Sequence, residues 1–274
     1  MNPSIWHLVQ AGILGLVQGL TEFIPVSSSG HLVIARELMH IDDPGNFFDA
    51  ILHLATLLAI LIYFFREWWQ MLIISKDKPA SKNDLPIDRK LLGLIIVSTI
   101  PALAIGYFSQ HWIENNLRSL VVVAILLIVM GIGFIISGYL LKPAKQNRNL
   151  TVWDSVNIGL AQAVALLPGL SRSGSTMLAG MYVGLTRESA VRFSFLMAAP
   201  AMFVAGGYSM YQAIKEQAIM QDYWYLIIAF IVAFLSGWLV IGWLLKYFQK
   251  HSFDVFGVYA VILGIILLVY HFAF

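Results

Sequence analysis

The sequence predicts an all-α polytopic membrane protein with six spanning helices plus two re-entrant helix-loop-helix hairpins in an inverted-topology repeat. Three observations predict it. Hydrophobic residues fill 59% of the 274 positions and charged residues only 12%, against about 45–50% and about 25% in soluble domains. Six windows stay apolar over the roughly 20 residues needed to cross about 30 Å of hydrocarbon. Two segments, beginning at Gly15 and Gly159, align without a gap at an offset of 144 (159 − 15). The alignment puts Gln18 on Gln162, Ser27 on Ser171, Ser29 on Ser173 and Gly30 on Gly174. We therefore read one integral membrane domain over 1–274, with repeat halves of roughly 1–141 and 150–274.

The start of the chain, Met1-Asn2-Pro3-Ser4-Ile5-Trp6-His7, lacks the basic n-region of a signal peptide, so the apolar run after it is read as mature structure. The first hairpin covers roughly 5–41: an apolar helix ended by Pro25, a Ser27-Ser28-Ser29-Gly30 loop, and a second helix beginning near His31. Spans follow at roughly 47–65, 91–110 and 119–141. The second hairpin, roughly 154–186, breaks at Pro168-Gly169 and reopens at Ser171-Arg172-Ser173-Gly174-Ser175-Thr176. The last spans are roughly 189–212, 223–245 and 254–273.

If both hairpins are re-entrant, Arg66, Arg89, Lys90, Lys142, Lys145, Arg148, Lys246, Lys250 and the lysines of the 75–86 connector share one side. Only Arg36, Arg118 and Lys215 lie on the other. The positive-inside rule makes the crowded side cytoplasmic. The hairpins then enter from opposite faces and their tips converge. The connector 75–86 reads as a solvated loop, and 142–148 as a topology determinant, with anionic-lipid contact as the alternative. Trp68, Trp69, Trp112, Trp153 and Trp224 sit near segment ends and read as an interfacial belt. With no cysteine in the chain, disulfides and thiolate chemistry are excluded. Nothing points to nucleic acid.

The chemistry-bearing residues fall in the two hairpins. Gln18 and Glu22, four apart, share a helix face, and an ionisable group inside an apolar segment is by default a functional signal; interhelical polar glue is the bland alternative. The Ser27-Ser28-Ser29 run before a helix offers hydroxyls and backbone N–H groups to an anion, against ordinary N-capping. His31 can donate a proton, attack as a nucleophile or ligate a metal. Arg172 presents a charged planar fork suited to phosphate, and at membrane depth it needs a carboxylate such as Glu22, a bound anion, or both. A purely structural Arg172–Glu22 bridge is the competing reading. Arg187, Glu188 and Arg192 read as interfacial charges, and His53, inside the span 47–65, as a helix-packing residue. A divalent ion bridging Glu22, with Gln18, and substrate phosphates is compatible with the usual coordination of Mg²⁺.

These residues resemble the undecaprenyl-pyrophosphate phosphatases of the bacitracin-resistance type, bacterial membrane enzymes of the cell-wall lipid cycle. Gln18-Gly19-Leu20-Thr21-Glu22 is similar to that family's Glu/Gln-x-x-x-Glu motif, continued by Pro25-Val26-Ser27-Ser28-Ser29-Gly30-His31. Pro168-Gly169-Leu170-Ser171-Arg172-Ser173-Gly174-Ser175-Thr176 is similar to its Pro-Gly-x-Ser-Arg-Ser-x-x-Thr motif, and Phe193-Ser194-Phe195-Leu196 with Pro200 also matches. Where many members carry a second Glu, this chain has Gln18, leaving Glu22 as the one carboxylate of its motif.

The resemblance implies hydrolysis of undecaprenyl pyrophosphate to undecaprenyl phosphate and inorganic phosphate, recycling the carrier lipid and conferring bacitracin resistance. It implies a divalent cation, Mg²⁺ or Ca²⁺, and a multi-pass location in the bacterial plasma (inner) membrane with the site opening to the periplasmic or extracellular face. On this reading Glu22, Ser28, His31 and Arg172 are catalytic. Ser27, Ser29, Ser171, Arg172, Ser173 and Thr176 bind phosphate, and Glu22 with Gln18 holds the metal. The residues leave open whether Ser28 or His31 attacks, and whether the protein forms a homodimer. Inverted repeats with broken helices also build transporters, so a polyprenyl-phosphate flippase is the alternative.

Overall fold

A computed structural model describes residues 5–41, 45–73, 85–117, 119–140, 149–216 and 222–273. The connector at 142–148, and that at 75–86 apart from Leu85 and Pro86, lie outside the described residues. The described residues form eleven helices: α1 (Ile5–Thr21), α2 (Ser28–Leu38), α3 (Gly45–Tyr63), α4 (Phe65–Ile73), α5 (Arg89–Leu117), α6 (Leu120–Leu140), α7 (Val152–Val164), α8 (Arg172–Tyr182), α9 (Arg187–Lys215), α10 (Tyr223–Phe248) and α11 (Asp254–Ala273). Six of them, α3, α5, α6, α9, α10 and α11, are long and apolar enough to cross a membrane, in the order and near the bounds predicted. This is a multi-pass membrane protein.

The hairpin helices are short for a physical reason. A proline ring clashes with the carbonyl four residues earlier and removes an N–H. Accordingly α1 stops at Thr21, four before Pro25, and α7 stops at Val164, four before Pro168. Eleven-residue helices such as α2 and α8 rise only about 16 Å, roughly half a bilayer core. One boundary differs from expectation. The helix expected near His31 begins at Ser28, because Ser27 caps it by accepting from the Gly30 N–H. Ser28 and Ser29 therefore occupy its first turn, as Arg172 and Ser173 occupy that of α8, where Ser171 caps the Gly174 N–H.

The helix α4 was not foreseen. Met71 is buried on one side while Phe65, Trp69, Leu72 and Ile73 are exposed, so the helix is apolar on both flanks of a narrow polar strip. This geometry corrects the reading of Trp68, which packs against the core instead of joining the belt. Trp69, Trp112, Trp153 and Trp224 are exposed, as side chains of such a belt would be.

The helices interlock across the middle of the sequence. α1 packs along α10 and α7 along α5, while α6 pairs with α11 and α3 with α9. Glycines permit the close approaches, since lipid tails give no hydrophobic advantage to burying larger apolar side chains between helices. A Cβ on Gly15 would lie 2.4 Å from the Ala229 carbonyl oxygen of α10. At the matched position, a Cβ on Gly159 would lie 2.4 Å from the Ser98 carbonyl oxygen of α5. Gly131 and Gly257 make the corresponding mutual contact between α6 and α11. Beneath the hairpin tips, Phe23, Phe193, Phe195 and Met177 are fully buried in the largest apolar cluster.

Gly15→Val and Gly159→Val are each expected to destabilise the protein by an overpacking cost of about 1–3 kcal/mol. Gly133→Ala, whose Cβ would meet nothing within 4 Å, should leave the Tm in detergent unchanged. Thermal unfolding of the three variants checks this.

Candidate active site

The two broken helices deliver their tips to one another. Glu22 is the first residue beyond α1, and its N–H still donates to the Gln18 carbonyl at 2.9 Å, so the side chain continues the Gln18 face of the helix. Arg172, the first residue of α8, reaches across from the other hairpin, and its Nη2 donates to Glu22 Oε1 at 2.5 Å. The Glu22 carboxylate is 5% exposed. Its other oxygen, Oε2, accepts from Gln18 Nε2 at 3.0 Å and from Ser28 Oγ at 2.6 Å. The carboxylate thus gathers a cation, an amide and a hydroxyl from three separate helical elements.

Around this pair, backbone donors face the same region. The first turns of α2 and α8 carry N–H groups that no helical carbonyl can reach, with the positive end of the helix dipole behind them. Ser27 holds a left-handed backbone, φ 71°, a conformation that costs a non-glycine residue about 1–3 kcal/mol and collects at functional sites. Ser27 Oγ lies 3.4 Å from Ser29 Oγ, and Ser171 Oγ lies 3.0 Å from Ser173 Oγ. Ser173 Oγ also donates to the Ile24 carbonyl at 3.4 Å, a second direct link between the hairpins. Gly174 has no room for a side chain, because a Cβ would meet Phe134 at 2.2 Å.

Other predicted site residues are placed differently. Thr176 Oγ1 sits 2.6 Å from Ser194 Oγ on α9 and 2.9 Å from the Arg172 carbonyl, so it braces α8 against α9. His31 Nδ1 lies 2.8 Å from the Ser27 carbonyl and its Nε2 lies 2.7 Å from the Tyr259 hydroxyl of α11. A carbonyl oxygen only accepts, so Nδ1 carries the proton and the Nε2 lone pair accepts from Tyr259. Both ring nitrogens are engaged. Arg187 donates to the His251 carbonyl at 2.8 Å, and Arg192 to Glu67 at 2.8 Å, away from the hairpin tips.

Sequence reasoning missed two neighbours of the site. His53, read there as a packing residue, brings Nε2 to 4.0 Å from Glu22 Oε2, because α3 passes the end of α1. Tyr259 carried no signal in a span that is apolar throughout. The signal that could have flagged His53 is an ionisable group inside an apolar span; its Nδ1 lies 2.8 Å from the Asp49 carbonyl.

Two buried polar atoms, one on each of two partners of the carboxylate, bear on ligands. Among the described residues Gln18 Oε1 and Arg172 Nη1 have no partner, although isolated buried polar atoms are costly. The unpaired guanidinium nitrogen fits an anion, and the unpaired amide oxygen beside a carboxylate fits a hard cation. Gln162, at the position matching Gln18, also has both amide atoms buried without partners. An open groove of about 550 Å³ between α7 and α8 runs past Ser175, Leu178 and Tyr182, one helical turn from Arg172.

The sequence model of the family described as bacitracin resistance protein BacA matches residues 11–266. An undecaprenyl-diphosphatase of Micrococcus luteus is 41% identical over 262 residues, covering 93% of this chain and 94% of its own length. One from Renibacterium salmoninarum is 38% identical over 270 residues, 95% of each chain. One from Desulforudis audaxviator is 37% identical over 272 residues, 98% of each.

Glu22→Gln and Arg172→Met should each cost about 3–5 kcal/mol, since each strands a buried partner. The double variant should lose less than the sum of the two, because nothing is then left uncompensated. Denaturation of the four proteins in one detergent measures the coupling.

Proposed function

The chain belongs to the bacitracin resistance protein BacA family, and on that footing we propose that it hydrolyses undecaprenyl pyrophosphate, releasing inorganic phosphate and leaving the monophosphate carrier lipid. The observation that carries this reading is the meeting of Glu22 and Arg172 at the tips of two hairpins, with two helix starts facing one anionic headgroup. A lipid substrate accounts for a buried polar site inside an apolar protein. Its prenyl tail has a route in the groove between α7 and α8. Every relative named above is a diphosphatase, and the flippase alternative draws no support from them.

Ser28 is the proposed nucleophile. Its hydroxyl donates to Glu22 Oε2 at 2.6 Å, so the carboxylate takes the proton as Oγ bonds the terminal phosphorus. The phosphoanhydride P–O bond breaks, and undecaprenyl phosphate leaves. Water then attacks the phosphoserine phosphorus and passes a proton to the departing phosphate, while the Oγ–P bond breaks and Oγ takes back the proton held by Glu22, restoring Ser28 and releasing inorganic phosphate. His31 is the poorer nucleophile, because neither ring nitrogen has a free lone pair; with Tyr259 it serves proton transfer. Arg172, through its unpaired Nη1, and the N–H groups at the starts of α2 and α8 hold the phosphate oxygens as charge develops on them. Ser29 and Ser173 add hydroxyl donors, while Ser27, Ser171 and Thr176 hold the loops in shape. Gln18 and Glu22 would hold a divalent cation, which when bound neutralises phosphate charge. Membership of a bacterial family supports a plasma-membrane location, and the charge distribution supports a site reached from the outer face.

Two measurements test this reading. Phosphate release from undecaprenyl pyrophosphate in detergent, where no second compartment exists, should fall by about 10²–10³ or more in Glu22→Ala, Ser28→Ala and Arg172→Ala, and should stop with chelator. Activity unchanged in Arg172→Ala would overturn the site, and a trapped phosphoryl label on His31 would overturn Ser28. Because the chain has no cysteine, Lys215→Cys and Lys250→Cys can be labelled singly in cells. An impermeant maleimide should reach the first and not the second.

A further inference from the structure

We propose that His53 is a third protein ligand of the divalent cation, completing the set that Glu22 and Gln18 begin. The inference rests on the reading above that those two hold the ion. His53 lies on α3, outside both sequence motifs. Its Nδ1 lies 2.8 Å from the Asp49 carbonyl, an acceptor only, so Nδ1 carries a proton, and in the neutral ring Nε2 presents a lone pair. Asp49 is itself fixed by an ion pair with Arg36 of α2. A ring N–H donated to a backbone carbonyl, with the other nitrogen bare, is how metal-bound imidazoles are usually oriented.

The bare nitrogen faces Glu22 Oε2 across 4.0 Å. That separation is too long for a hydrogen bond, and the two atoms face each other favourably only with positive charge between them, a proton on Nε2 or a bound cation. Two ligand bonds of about 2.0–2.1 Å each span at most roughly 4.2 Å, so one ion can touch both atoms. Gln18 Oε1, on the amide whose Nε2 donates to Glu22 Oε2, is buried without a partner among the described residues. Glu22 Oε2 already accepts from Gln18 and Ser28. An ion therefore displaces one of them, and Gln18 yields by turning its amide over, which brings Oε1 to the ion. In a chain whose motif has one carboxylate, an imidazole supplies the ligand that a second carboxylate would otherwise give. It also favours a transition ion such as Mn²⁺, which accepts a nitrogen ligand, over Mg²⁺ and Ca²⁺, which take oxygen ligands.

Mn²⁺ binding to the purified protein in detergent, followed by electron paramagnetic resonance, tests this without reference to turnover. The wild type should bind one Mn²⁺ more tightly than Ca²⁺ and show nitrogen coupling from imidazole, altered by ¹⁵N-histidine labelling. His53→Asn and His53→Gln should remove the coupling and weaken Mn²⁺ by roughly 10–100-fold, the range seen even for outer-shell ligand partners. The wild-type signal needs no variant to fold. Binding that is lost in Glu22→Gln but shows no nitrogen coupling in the wild type overturns His53 and leaves the Glu22 reading standing. Coupling that persists in both His53 variants assigns another histidine and overturns the proposal. Mn²⁺ binding indifferent to Glu22→Gln overturns the cation reading itself.

Discussion

A buried guanidinium and a buried carboxylate, each costly alone, must find each other, and the rest of the structure satisfies that requirement. Arg172 and Glu22 belong to different hairpins, 150 residues apart, and either one left unpaired in a buried apolar setting would cost several kcal/mol. Their meeting fixes where the hairpin tips stop. Each helix ends four residues before a proline ring that blocks its continuation, and Glu22 and Arg172 stand on either side of the breaks that result. The bridge does not exhaust either group, since Arg172 Nη1 remains unpaired. A merely structural pair would have no reason to keep a buried donor unsatisfied.

The scaffold that brings the tips together is built from close helix contacts instead of large buried side chains. Gly15 against Ala229 and Gly159 against Ser98 are the same contact made twice, each joining a hairpin helix to a helix from the other part of the chain. Crossed packing of this kind ties the position of one tip to the position of the other. The matched residues then diverge in chemistry. Where one copy has Ser28 the other has Arg172, and where one has Glu22 the other has Leu166. One duplicated element thereby yields an acid with a hydroxyl on one tip and a cation on the other, a division suited to binding a single diphosphate between them.

The composition, the six spans, the two proline breaks and the matching of Gln18 with Gln162 were legible in the amino-acid order, because each depends on hydropathy or on covalent geometry local to a few residues. The need of Arg172 for a carboxylate was legible too, as a matter of charge. What tertiary structure alone decided is which lone pairs are spent. His31 is taken up by Tyr259, 228 residues away; His53 is delivered to Glu22 by α3; Thr176 turns to Ser194; and Trp68 faces inward on a helix, α4, that the pattern did not mark. The physical reason is that a helix in lipid is apolar on both its packed and its lipid-facing sides, so periodicity reports that it spans but not which face meets which neighbour. That rotation is set by glycine contacts and by buried polar partners, and these exist only once the helices are assembled.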